Sequence, residues 1–572
     1  ILKSISCLLM IAGVGMAAYI ALLGILCLVH FPVGRAYGPK NVVPSDVRVS
    51  LAGQGVVIGN TNTTLWTGQT YMQFRGIPYA ESPSGELRFK PPIPRKSWSA
   101  PLQATDYGRI CPQLFTYNRL SPDKLRGDLE DCLTLNIFTK KLSGKQPVMF
   151  YIHGGSLQVG FASDHKAGYL LEEDVVLVVI QYRLGILGFS GTNTPEMSGN
   201  FGLLDTLLAL QWVHEHIAAF GGDKSEITVF GESSGAELTG ALLISPKTPP
   251  AAIKRAIIQS GSIVDKGAVN LEPLAQVERV CRALKCTHCE DIAKMENCLK
   301  GASVLDLLKA AETERYGMVI GDYYGALPEH PAKLMDRAEI STPIMTGFTK
   351  HDGVIALAIL YEDFKATHPN MNAVTVAEFA TAIMSWLNDT TGLTNNAMER
   401  LLFPAELWHS FDHRRALPAY FDLVNILFFK SPMLGFTNRL FDKASHPPIY
   451  FYTFDYAGEK TNYGFDSGNA QYPFNGGVHH TDELIYLFAM KPPLNTKDTE
   501  VAKKMVYLWT SFARTGVPQV SGGPVISPMG CVRGPYFHID ETIRTDGDIL
   551  KEFTATIDDP NKKKFDRPKK SW

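Results

Sequence analysis

The chain opens on a stretch in which apolar and polar positions do not alternate. Ser4 to Val29 carries no charge over 26 residues. As a helix rising about 1.5 Å per residue it would span roughly 39 Å, more than the roughly 30 Å of a hydrocarbon core. It also exceeds the apolar stretch of about 7–15 residues in a secretory leader. The pattern predicts a transmembrane signal anchor over residues 1–31 and a juxtamembrane linker over 32–50. The competing expectation is a long leader removed after Gly38, where Ala36 and Gly38 supply small residues. Gly13, Ala17 and Ala21 form a small-residue stripe on such a helix, where a second copy or another membrane protein would pack.

Beyond Ser50 the periodicity becomes that of a folded body. Short β-like runs at Val56–Ile58 and Tyr71–Arg75 come first. Apolar strands then alternate with amphipathic helices, the order expected of an α/β fold with a large, mostly parallel central sheet flanked by helices. The strand candidates are Val148–Ile152, Val175–Gln181, Ile227–Phe230, Ala256–Gln259, Ile344–Gly347 and Ile449–Phe454. They are rich in Val, Ile, Phe and Tyr, as strands buried on both faces should be. From Asn200 to Phe220, Leu203, Leu204, Leu207, Leu208, Trp212, Val213 and Ile217 recur at helical spacing. A helix over Glu500–Thr515 carries Val501, Met505, Leu508, Trp509 and Phe512 on one stripe and stops at Gly516 and Pro518. No internal repeat divides the chain, so residues 51–550 are expected to form one domain, with a basic tail over 551–572.

Composition adds limits rather than identity. Hydrophobic residues at 45% and charged residues at 20% suit a chain with a large core. A formal net charge of −2 supplies no electrostatic reason to expect nucleic acid as a partner. The lysines at 562, 563, 564, 569 and 570 read as a solvated terminus.

Chemistry enters at Gly231-Glu232-Ser233-Ser234-Gly235. The motif follows the strand-like run Glu226 to Phe230 and precedes the helix-like run Ala236 to Leu243, the setting of a nucleophile elbow. In so tight a turn, side chains two before or two after the serine would collide with their neighbours, which accounts for Gly231 and Gly235. Ser233 would then stand clear of the sheet at a helix N-terminus, where free N–H groups favour a developing oxyanion. Upstream, the strand Val148–Ile152 runs into His153-Gly154-Gly155-Ser156, a glycine-rich loop able to aim backbone N–H groups at a carbonyl oxygen.

Several longer motifs resemble the type-B carboxylesterases and cholinesterases, whose fold is the α/β-hydrolase fold. They include Phe74-Arg75-Gly76-Ile77-Pro78-Tyr79-Ala80, Arg88-Phe89, Glu130-Asp131-Cys132-Leu133-Thr134-Leu135-Asn136 and Gly199-Asn200-Phe201-Gly202-Leu203-Leu204-Asp205. Phe220-Gly221-Gly222-Asp223 and Ile258-Gln259-Ser260-Gly261-Ser262 continue the likeness, which covers nearly all of the chain after residue 50. It implies oxyanion donors at Gly155, Ser156 and Ser234, with Ser156 in place of the family's usual glycine. It implies the acid in Gly347 to Gly353, at Asp352, where most members carry glutamate. Counting back from Asp482-Glu483-Leu484 as the family pattern does selects His480 as the base and leaves His479 as its neighbour. The expected chemistry is ester hydrolysis through an acyl-enzyme with a Ser233-His480-Asp352 triad. It requires no metal and no cofactor, and no motif for either is found.

Nine cysteines include Cys7 and Cys27 in the apolar segment. The resemblance implies disulfides Cys111–Cys132 and Cys286–Cys298; Cys281 and Cys289 could form a third, which would leave Cys531 odd, and the sequence leaves that pairing open. A zinc site on Cys281, Cys286, Cys289 and Cys298 is the alternative, against which their irregular spacing argues. The sequons at Asn62 and Asn388, like the disulfides, predict a glycoprotein facing the lumen or cell exterior. Lys3 before the apolar run against Arg35, Lys40 and Arg48 after it leans the other way.

Cholinesterases bind a quaternary ammonium on a gorge-loop tryptophan. The loop between Cys111 and Cys132 has only Phe115 and Tyr117 as aromatics, so an uncharged or hydrophobic ester is expected as substrate rather than acetylcholine. Membrane-tethered adhesion proteins of the same resemblance offer a second, non-catalytic expectation, against which the intact Ser233, Asp352 and His480 stand.

Overall fold

The computed structural model describes residues 46–114, 126–391, 407, 409–462, 474 and 476–553. The expected anchor over 4–29, Phe115, Tyr117 and the lysines of the tail lie outside these residues. Among the described residues no helix is long and apolar enough to cross a membrane.

The strands are β1 (Val47–Leu51), β2 (Gly55–Thr63), β3 (Thr70–Pro78), β4 (Leu102–Gln103), β5 (Thr134–Thr139), β6 (Gln146–Ile152), β7 (Val176–Ile180), β8 (Gly222–Glu232), β9 (Arg255–Gln259), β10 (Val269–Asn270), β11 (Met318–Val319), β12 (Ile344–Thr349), β13 (Ile449–Phe454), β14 (Tyr536–Ile539) and β15 (Ile543–Asp546). Among the described residues, 13 of them form one sheet in the order β1-β2-β3-β5-β7-β6-β8-β9-β12-β13-β14-β15, with β4 beside β2, while β10 and β11 pair apart. From β7 across to β14 every pairing is parallel. The flanks are antiparallel, from β1 to β7 on one side and at β15 on the other. The sheet is therefore mixed. The expectation of a mostly parallel sheet describes its middle, because the runs Val56–Ile58 and Tyr71–Arg75 lie in β2 and β3, antiparallel partners joined by a short loop.

Residues of one strand divide between two cores, as the two-residue period of a strand requires. Val148, Phe150 and Ile152 of β6 face one apolar cluster, with Val176, Val178 and Ile180 of β7. Met149, Tyr151, Leu177 and Val179 face the other. Helix α1 (Phe201–His216) covers the first face through Leu203, Trp212 and Val213. The predicted helix ends four residues early, the last turn tightening to a 3-10 turn over Ile217–Phe220. Leu207 and Leu208 are only half-buried. Helix α2 (Ser234–Ile244) packs on the same side.

A third apolar cluster, distinct from those on the two sheet faces, joins α3 (Val354–Thr367), α4 (Val376–Thr391) and α5 (His413–Asn425). Helix α5 continues through a π turn, Ile426–Lys430, into α6 (Ser431–Phe441). On the opposite sheet face lies α7 (Thr496–Thr515), whose Val501, Met505, Leu508, Trp509 and Phe512 are all buried. It begins earlier than its stripe predicts because Asn495 caps it, accepting the Asp498 N–H at 2.8 Å. Gly516, at φ 77°, ends it as expected.

Among the described residues three disulfides are formed: Cys111–Cys132, Cys281–Cys289 and Cys286–Cys298. Cys531 is an exposed free thiol. Such bonds fit an oxidising compartment, extracellular or lumenal. Other residues of the longer motifs turn out to hold the fold together: Arg183 pairs with Asp205 at 2.7 Å, and Arg88 donates to Glu130 at 3.0 Å, all four buried.

Candidate active site

The site collects at the carboxyl ends of the parallel strands, where loops from several strands converge and an open α/β sheet binds its ligands. β8 delivers Ser233, β6 the glycine-rich loop, β12 Asp352, and the chain beyond β13 His480.

Ser233 sits at φ 57°, ψ −128°, a strained conformation for any residue with a side chain. Its N–H donates to Gln259 O at 2.8 Å, and its carbonyl accepts from Ala236 and Glu237 at 2.9 and 3.1 Å, starting α2. The two motif glycines are explained by close approach. A Cβ on Gly231 would lie 2.3 Å from Gly235 O, and one on Gly235 would lie 2.1 Å from Ile152 O.

Beyond β6 the loop runs through Gly155 at φ 116°, Ser156 at φ 55° and Leu157 at φ 59°. It abuts the elbow, since a Cβ on Gly154 would stand 2.9 Å from Ser233 Cβ. Among the described residues no backbone hydrogen bond engages the N–H of Gly155, Ser156 or Ser234. Gln113, inside the Cys111–Cys132 loop, braces the far end of this loop by accepting the Gly160 N–H at 3.1 Å and donating to Gly160 O at 2.9 Å.

Asp352 is fully buried, and its Oδ1 lies 2.9 Å from His480 Nδ1. Thr349 fixes the carboxylate, its N–H and hydroxyl donating at 3.0 and 2.8 Å. Gly353 follows because helix α5 comes so close that a Cβ there would lie 2.4 Å from Asn425 N. The π turn brings the Phe429 ring to 4.8 Å from that of His480. His479 is placed differently: its Nδ1 lies 2.7 Å from His480 O, turned to the backbone. Burial, with the neighbouring His480 charge, takes His479 down to about 3, so it is neutral at physiological pH.

Two carboxylates that the motif reading did not assign a role complete the cluster. Glu232 Oε1 lies 3.1 Å from His480 Nε2, and both side chains are almost wholly buried. Glu483 Oε1 accepts from Gln259 Nε2 at 3.1 Å, and Gln259 Oε1 from Trp509 Nε1 at 3.0 Å. Burial alone pushes His480 down, but the charges of Glu232 and Asp352 outweigh it and raise the imidazole to about 10. Burial, with Glu232 and Asp352 beside it, holds Glu483 well above the usual carboxylate range. The contact that would carry a serine proton, His480 Nε2 to Ser233 Oγ, is not among the hydrogen bonds of the described residues; Nε2 is engaged by Glu232. Nothing in the spacing of Glu232 or Glu483 announces this, beyond the direct adjacency of Glu232 to Ser233.

The carboxylesterase family profile matches residues 45–556. Juvenile hormone esterase of Tribolium castaneum is 31% identical over 81% of this chain and 83% of its own length. Liver carboxylesterase 1 of Mus musculus is 31% identical over 82% of this chain and 86% of its own. Glutactin of Drosophila melanogaster is 26% identical over 92% of this chain, which spans only 52% of glutactin.

Proposed function

The chain belongs to the carboxylesterase family and is an enzyme of that class, and from that premise we propose that it cleaves carboxylic esters through an acyl-enzyme on Ser233. The observation that carries the reading is the buried His480 Nδ1 to Asp352 contact of 2.9 Å, formed at the same sheet end as the strained serine. Asp352 fixes the tautomer in which Nε2 acts as base, and it stabilises the imidazolium that forms. When an ester enters, His480 gives its Nε2 proton to the Glu232 carboxylate, and the neutral nitrogen turns to the serine hydroxyl. Ser233 then attacks the carbonyl, and the N–H groups of Gly155, Ser156 and Ser234 hold the tetrahedral oxyanion. The alcohol leaves with the proton from His480, and water repeats the cycle on the acyl-enzyme. An uncharged or hydrophobic ester is the substrate class.

The test is hydrolysis of a simple aryl ester by wild type and by Ser233→Ala. The variant is expected to lose roughly 10⁵- to 10⁶-fold in kcat, leaving only residual catalysis. Covalent capture by an activated organophosphate is expected on Ser233 alone. Equal rates in the two proteins would remove the assignment and return the non-catalytic adhesion reading.

The same proposal places the catalytic body outside the cytoplasm, tethered through residues 4–29, with glycans on Asn62 and Asn388. Asn62 is exposed on β2, and Asn388 falls in α4. A protein released after Gly38 is the rival. N-terminal sequencing of the mature protein separates the two, and a glycosidase-sensitive shift in mass tests the sequons. Association of two copies through the Gly13, Ala17 and Ala21 stripe belongs to the tethered form only.

A further inference from the structure

The loop that carries the oxyanion donors is held in a conformation its own residues disfavour. Ser156 and Leu157, neither of them glycine, are consecutive at φ 55° and 59°, and a left-handed backbone with a Cβ is unfavourable at each. Something outside the loop must keep it there. Leu157 is 1% exposed, and its N–H, the first beyond the proposed donors, gives its hydrogen bond to Ser234 Oγ at 3.1 Å. Ser234 is 2% exposed, so water is no substitute for that acceptor. At the near end of the loop, the Tyr182 hydroxyl donates to His153 O at 2.6 Å.

Leu157 N–H donates to Ser234 Oγ, and the Tyr182 hydroxyl donates to the His153 carbonyl. His153 and Leu157 are the residues on either side of Gly154, Gly155 and Ser156. One buried hydroxyl, on the first residue of the nucleophile helix, therefore ties down the Leu157 end of the loop, while the Tyr182 phenol holds the His153 end.

We propose that the Ser234 side chain is a positioning group that locks the oxyanion loop to the nucleophile elbow. This rests on the acyl-enzyme reading and goes beyond it. There, Ser234 contributes only its backbone N–H; here, its Oγ sets where the Gly155 and Ser156 donors point. The lock matters most when charge sits on the carbonyl oxygen, because donor placement counts most there. Loss of the hydroxyl then affects the tetrahedral state more than substrate binding.

Ser234→Ala separates the two roles, since alanine keeps the N–H and removes the hydroxyl. The experiment measures aryl-ester turnover per organophosphate-titrated site, together with affinity for an aryl trifluoromethyl ketone, which forms a tetrahedral adduct on the serine. Loss of a whole oxyanion donor costs about 10²- to 10³-fold. A displaced pair is expected to cost roughly 10- to 100-fold in kcat, with KM within about threefold. Ketone affinity is expected to fall in proportion to kcat/KM. Ser234→Gly, which also lacks Oγ, serves as the second variant if alanine disturbs folding, and is held to the same readouts. Wild-type kcat in the variant overturns the proposal. So does a loss of activity in which ketone affinity stays unchanged. A fully active Ser234→Ala beside an inactive Ser233→Ala removes the lock alone, whereas an active Ser233→Ala removes the acyl-enzyme reading itself.

Discussion

The two halves of the site are built on different physics. The elbow half is held by contact: glycines at 231 and 235 have no room for a methyl group, and the Ser233 backbone is pinned by Gln259 O and the first turn of α2. The base half is held by charge, with Asp352 on one nitrogen of His480 and Glu232 beside the other, all of them buried. Steric placement does not change with pH. A buried cluster of carboxylates around one imidazole does, because each proton alters the energy of the others. The comparison teaches that the nucleophile should be tolerant of solution conditions and intolerant of volume, while the base should behave in the opposite way.

The largest break is expected at Asp352. Asp352→Asn keeps the shape but gives His480 Nδ1 an amide in place of the charge that fixes its tautomer. The expected fall in kcat is about 10⁴-fold, by analogy with the same change in a serine protease triad. Steady-state kinetics on the aryl ester checks it, with an unchanged urea midpoint as the sign that the fold survives.

On the elbow side the next effect is one of stability. Gly235→Ala places a Cβ 2.1 Å from Ile152 O, a backbone atom that cannot yield without moving β6. Destabilisation of at least about 3 kcal/mol is expected, read from urea unfolding. A variant as stable as wild type would show that the elbow is not held by contact.

The smallest effect in magnitude is the most diagnostic of the difference. Glu232→Gln removes the largest of the charges that raise His480. The acid limb of kcat/KM, which reports the free-enzyme base, is expected to move to lower pH by at least about one unit. Stability follows the same sign. A histidine raised to about 10 in the fold contributes stability that is fully present below its unfolded value near about 6.5. That contribution drains away as pH rises toward the folded value, and in Glu232→Gln it should be lost at lower pH. Ser234→Ala, on the elbow side, is expected to leave the pH profile where it was.

The difference between the halves also explains what could be read early. Strands β6, β7 and β13 were visible as apolar runs, and the elbow as a motif, because their constraints act between neighbours in the chain. Leu207 and Leu208 looked like core and are half-buried, since a stripe cannot say how far the helix is covered. Of the antiparallel flanks, β2 and β3 showed as short runs, whereas β1 and β5 escaped the pattern because they gain their burial from partners.

By itself, the order of residues determined that Ser233 stands on a turn between a buried strand and a helix, and that Gly231 and Gly235 must flank it. At Gly231 the collision, with a carbonyl four residues away, is already written into the local chain, whereas the motif carries Gly235 although its collision is with Ile152 O of β6. The family pattern already selects His480 over His479; only the tertiary structure decided that Glu232 lies against the other ring nitrogen and that a serine hydroxyl holds the Leu157 end of the oxyanion loop. The energy of a buried charge or an unshared N–H depends on everything within a few ångströms, and those atoms arrive from segments 77 or more residues apart.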